Sequence, residues 1–148
     1  MPDERVAGRL AALAPEVPSL AVGEDAVTVA REDLTALMRF LKDDPECAFD
    51  FLTNLTATDY SDHFTVVYHL VSFVHGHLLT VKCDLPREEP QIPTVMDIWG
   101  GADFQEREVF DLLGVVFTGR ENSRILLHEG FKGHPLRKDF EWAGGRES

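Results

Sequence analysis

Basic side chains are scarce in this chain of 148 residues: 14 lysines and arginines stand against 26 aspartates and glutamates, for a formal net charge of −12. A field of that sign repels phosphate backbones and anionic headgroups, which disfavours nucleic-acid binding and electrostatic attachment to membranes. Cysteine is scarcer still. Cys47 and Cys83 are too far apart for a CxxC zinc, iron–sulfur or dithiol motif, and each reads as a small buried hydrophobe. There is no run of about 18 apolar residues, and Met1-Pro2-Asp3-Glu4 lacks the basic and apolar regions of a signal peptide. The chain therefore reads as cytoplasmic and unbridged by disulfide, reaching a membrane only through partners. Phosphate-binding loops are missing as well, since Gly100-Gly101 and Gly144-Gly145 are isolated doublets, and so is the GxSxG elbow of a serine nucleophile. Catalysis by this chain on its own is not expected.

What the chain does have is a 44% hydrophobic content, enough for one domain with a core of its own. Val6, Leu10 and Leu13 recur at helical spacing until Pro15 stops them. The short apolar runs 19–22 and 26–30 flank Gly23-Glu24-Asp25 and predict a small hairpin. Leu34, Leu37, Met38 and Leu41 form one helix stripe, with Glu32 and Asp33 in the first turn. Residues 49–60, 64–74 and 77–85 are β-rich, the last two folded about His75-Gly76. Both arms of that hairpin carry apolar residues in succession, so both sheet faces are expected to be covered, one by helices and one by a partner. The proline-rich stretch from Pro86 to Pro93 predicts an exposed, irregular connection. Asp103 and Glu106 match a capping box for a helix over 104–113, with Gly114 at its C-terminal cap.

The charge is unevenly divided. Residues 1–118 carry 8 basic and 21 acidic side chains, a net of −13, whereas residues 119–148 carry 6 and 5, a net of +1. The second stretch is rich in glycine and poorly suited to close a core, so it reads as a tail that lies on another surface. His63, His69, His75 and His77 invite a metal-site reading, but no carboxylate stands at ligand spacing beside them. The cluster Glu106-Arg107-Glu108 with Asp111 reads, on pattern alone, as a solvated helix face in which Arg107 and Asp111 pair at i, i+4, worth about 0.3 kcal/mol. The alternative is an anchor for the tail or for a partner.

Residues 106–117 (EREVFDLLGVVF), then 124–127 (RILL), then 133–140 (GHPLRKDF) closely resemble the signature region of the 30 kDa subunit family of respiratory complex I, the NADH-quinone oxidoreductase. Residues 94–99 (TVMDIW) and 68–70 (YHL) are similar to the same family. Arg120 stands where the family usually has histidine or lysine, and Glu141-Trp142 where it commonly continues with proline. The resemblance implies an α+β domain in the hydrophilic arm of the complex, beside the quinone-site subunit and its iron–sulfur neighbour. FMN, iron–sulfur clusters, NADH and quinone would be handled by the complex and not bound by this chain. The expectation is a two-layer α+β domain over residues 1–118, a mixed sheet with helices on one face, followed by an extended docking tail over 119–148. It would act as a non-catalytic scaffold, peripheral on the cytoplasmic side of the membrane; the alternative is the equivalent subunit of a membrane-bound hydrogenase or other complex-I-like enzyme. Contacts with partners are expected at Glu106, Arg107, Glu108, Asp111, Arg120, Arg124, His134, Pro135, Arg137, Lys138 and Asp139.

Overall fold

The computed structural model describes residues 4–24 and 26–121 together with His134 and Arg137. Helix α1 (Glu4–Leu13) buries Val6, Leu10 and Leu13 on one face, and Pro15 sits in the single 3-10 turn that ends it. Strands β1 (Ala21–Val22) and β2 (Val27–Thr28) form the expected hairpin. Helix α2 (Arg31–Asp43) buries Leu34, Leu37, Met38 and Leu41. Strands β3 (Phe51–Asp59), β4 (His63–Ser72) and β5 (His77–Pro86) follow as an antiparallel meander, with Gly76 at φ 71° supplying the left-handed turn residue. β2 pairs in parallel with β5, which makes the sheet mixed, in the order β1-β2-β5-β4-β3.

Register decides which side chains share a face. Phe64 lies opposite Leu85, Val66 opposite Cys83, Tyr68 opposite Val81 and Leu70 opposite Leu79. All eight are buried, and with the apolar stripes of the helices they form one core. Each large apolar side chain so placed contributes about 1.5–3 kcal/mol through loss of contact with water. The other face is polar at its centre, where His69 lies opposite Thr80 and Val67 opposite Lys82. Toward the hairpin tip it turns apolar, and Phe51, Phe73, Val74 and Leu78 are exposed there, Phe73 by 70%. The expected cover is thus present on one face, while the tip of the other lies open among the described residues.

The expectation of an irregular, exposed connection from Pro86 to Pro93 holds for residues 87–90, a turn in which Glu88 and Glu89 are exposed, and is overturned at both ends. β5 runs to Pro86, and Gln91–Pro93 form β6, a strand parallel to β7 (Val116–Thr118), with Ile92 fully buried. The prolines fall where no donor is needed: Pro90 offers only its carbonyl, to Val116 N at 2.9 Å, and Pro93 ends the strand. Between β6 and β7 lies α3 (Ala102–Leu113), which packs on β3. The capping box is overturned too. The N-cap is Gly101, without a side-chain cap, because the Asp103 and Glu106 carboxylates have cationic and backbone partners elsewhere.

Candidate functional site: the charged cluster on helix α3

Ala102, Glu106, Val109 and Leu113 recur at i, i+4, i+7 and i+11, so Glu106 lies on the buried stripe of α3 among apolar neighbours. Its side chain is 0% exposed. One carboxylate oxygen accepts from Val95 N at 2.9 Å, the other from the Thr94 hydroxyl at 2.5 Å and from Arg120 Nη1 at 3.2 Å. Burial raises the Glu106 pKa, and these three donors oppose but do not cancel the rise. The site therefore holds a buried acid whose charged form is supported by Thr94, Val95 and Arg120 together.

Arg120, itself 4% exposed, joins two elements. Nη2 meets Asp103 Oδ1 at 2.6 Å and Nη1 donates to the Asp103 carbonyl at 3.1 Å, so the planar guanidinium grips backbone and both carboxylates together. Its hydrogen bond and charge, aided by Arg107, hold Asp103 below the usual carboxylate range. Arg107 pairs back with Asp103 at 3.2 Å and not forward with Asp111. The expected pair fails because Asp111 is fully buried whereas Arg107 is half-exposed beside Asp103. The solvated-face reading is corrected in the same way: Glu106 and Asp111 face inward, and only Arg107 and Glu108 stay partly open.

The other end of α3 receives two further predicted residues. His134 Nδ1 is 2.9 Å from the Asp111 carbonyl, and Arg137 Nε donates to the Leu113 carbonyl. A cation at the last turn satisfies an otherwise unpaired carbonyl and complements the negative end of the helix dipole. Gly114 makes this possible. Its φ of 80° closes the helix, and a Cβ built there would lie 2.7 Å from both Arg137 Nη2 and His134 Cδ2. Arg137 also lies over the Phe64 ring at 5.1 Å, a ring it shares with Arg87 at 4.9 Å. Arg87 in turn pairs with the buried carboxylate of Asp59. Arg120, His134 and Arg137 are thus brought together on α3 with Glu106 and Asp111. Arg124, Pro135, Lys138 and Asp139 lie outside the described residues.

Residue patterning did not reveal the roles of Thr94 and Asp103 in this cluster, nor the Arg9–Asp44 and Arg87–Asp59 pairs, whose partners lie 35 and 28 positions apart. Burial alone would raise Asp44, but the Arg9 guanidinium at 2.7 Å and the Cys47 and Glu46 amides hold it lower. The four histidines do not converge. His63 and His69 stand on the open face, His77 on the core face, and His75 in the turn. His75 Nε2 and His77 Nε2 reach the carbonyls of Pro45 and Cys47 at 2.7 and 2.8 Å, clasping the segment after α2 to the hairpin tip. Burial pushes the Cys47 and Cys83 thiols up to about 12, which leaves both as inert core residues. Among the described residues, no helix is long and apolar enough to cross a membrane.

Comparison with known proteins converges on one family. Residues 27–146 match the respiratory-chain NADH dehydrogenase 30 kDa subunit profile. An NADH-quinone oxidoreductase subunit of Roseiflexus castenholzii is 44% identical over 121 residues, covering 79% of this chain and 70% of that protein. The subunit of the same name from Jannaschia sp. is 42% identical over 131 residues, 86% of this chain and 63% of that protein. A trypsin-resistant fragment of Nqo5 superposes with a TM-score of 0.69 at 31% identity, covering 80% of this chain and 99% of the fragment. A chain of an archaeal membrane-bound sulfane sulfur reductase shares the fold, with a TM-score of 0.77 at 24% identity over 97% of this chain and 90% of its own length. The long match at 106–140 and the mixed-sheet domain that carries it have one explanation: the chain belongs to the 30 kDa subunit family of the respiratory-chain NADH dehydrogenase.

Proposed function

We propose that the chain is a non-catalytic scaffold and assembly subunit in the hydrophilic arm of a proton-translocating NADH-quinone oxidoreductase, packed beside the quinone-site subunit and its iron–sulfur neighbour. The observation that carries this reading is how the charged groups around α3 are engaged. Glu106, Arg120, Asp103, His134 and Arg137 are directed at one another, at backbone carbonyls or at backbone amides, an arrangement suited to hold segments in place. In this reading FMN, iron–sulfur clusters, NADH and quinone belong to other chains. This one sits on the cytoplasmic side of the membrane, attached through its partners, and the residues after Glu121 supply part of the contact. The test is to co-express the tagged chain with the quinone-site and iron–sulfur subunits. Stoichiometric recovery of both, with a separately purified chain that shows no flavin or cluster absorption and oxidises no NADH, supports the proposal. A flavin or cluster band in the chain alone overturns its non-catalytic part, and failure to recover either partner overturns the assembly role.

A second reading keeps the scaffold role but changes the electron donor, as in a hydrogenase or other complex-I-like enzyme. Its support is the shared fold of the sulfane sulfur reductase chain. Assaying the purified assembly with NADH and with alternative donors separates the two.

A further inference from the structure

The outer edge of the sheet points to a specific mode of docking. β3 is the last strand in the sheet order, so its far side has no strand beside it among the described residues. Two hydrogen bonds fix which peptides face that side. Tyr60 N donates inward to His63 O at 2.9 Å, whereas Leu55 N donates outward to Gln105 Oε1 at 2.6 Å. Antiparallel pairing alternates the two directions, and the register shift lies earlier, between Leu52 and Asn54, so Ala57 faces outward with Leu55. A groove of about 190 Å³ runs along this edge, between residues 54–57 and Glu108, Val109 and Leu112 of α3.

Three observations describe the occupant. Gln105 already places a side-chain amide oxygen where the carbonyl of a further strand would lie, which makes the edge a hydrogen-bonding template just before Ala57. Val109 and Leu112 line the groove with apolar surface. Glu108 stands on its wall without an ion-pair partner among the described residues, on a body whose first 118 residues carry a net charge of −13. We propose that the groove between β3 and α3 receives an extended segment of a neighbouring subunit. That segment adds as a sixth strand through the outward peptide of Ala57, seats an apolar side chain against Leu112 and places a lysine or arginine opposite Glu108. This deepens the assembly reading above and rests on it.

The test compares hydrogen exchange in the free full-length chain and in the co-purified complex. The Ala57 amide should exchange about tenfold more slowly in the complex, as expected for a newly paired edge. Ala57→Pro removes an outward N–H that β4 does not use, so the free chain should still melt cooperatively, while its recovery in the complex falls about tenfold. Glu108→Lys should lower recovery in the same direction without changing the free chain's melting. Equal exchange of the Ala57 amide in the two states overturns the inference and leaves the assembly role standing. Undiminished recovery of either variant also overturns it. If the free chain instead sediments as a dimer that Ala57→Pro dissociates, the occupant is a second copy and the neighbouring-subunit assignment is wrong. Loss of all co-purification by the unaltered chain removes the assembly reading and this one together.

Discussion

Glu106 and Arg120 show what burial does to a single pair of charges. Arg107 and Arg120 both reach Asp103, yet one is 38% and the other 4% exposed, and that difference sets the cost of losing each. Arg107→Ala removes a solvent-screened pair and should lower the stability of the isolated chain by about 0.2–1 kcal/mol. Arg120→Ala leaves Glu106 without its cation inside the core and should cost about 3–5 kcal/mol. Thermal melts of the two variants check the contrast, and equal shifts would refute it. The Glu106 pKa is raised by burial from 4.5, so the folded state binds the proton more tightly than the unfolded one. The stability contributed by this proton is present below 4.5 and is lost as pH rises through the higher folded value. Glu106→Gln, which imitates the neutral acid, should therefore gain on the unaltered chain as pH rises through that window. Melting temperatures of both proteins from about pH 4 to 8 read the difference, and a constant gap would contradict the assignment.

At the scale of elements, the cap of α3 carries more than a turn. Gly114 and Gly76 both have positive φ, but a Cβ at Gly76 would meet nothing within 4 Å, whereas at Gly114 it would strike Arg137 and His134. Gly76→Ala should cost about 1 kcal/mol of backbone strain alone. Gly114→Ala should cost more, since it also displaces the Arg137 and His134 side chains from the helix end, and denaturant unfolding of the pair measures the excess. The elements themselves were largely legible from periodicity: α1, α2 and the meander follow apolar spacing, and Gly76 and Gly114 stand where turn and cap require them. β6 was hidden because its prolines suggest loop, and only pairing with β7 shows that their missing donors are not needed. Pattern alone turns Glu106 and Asp111 toward water, because charge on a helix usually faces it. The burial of Glu106 depends on Thr94, Val95 and Arg120, residues that local pattern cannot place beside it.

Across the whole molecule, composition divides the chain at residue 118, but hydrogen bonding carries the α3 cluster past that point to Arg120. A protein ending at Thr118 loses the cation of Glu106 and should melt well below one ending at Glu121, which keeps it. The family resemblance gave the role of the molecule its most specific form, because residue types alone offered a cluster and a tail without a destination. The chain belongs to the family; the assembly role proposed for it assigns part of the contact to the residues after Glu121, and removing them tests that proposal. Tagged full-length and truncated chains are each co-expressed with the quinone-site subunit and purified. The truncated chain should still melt cooperatively but no longer bring the partner with it, while the full-length chain recovers the partner stoichiometrically. Full recovery of the partner by the truncated chain would contradict the docking role of the tail.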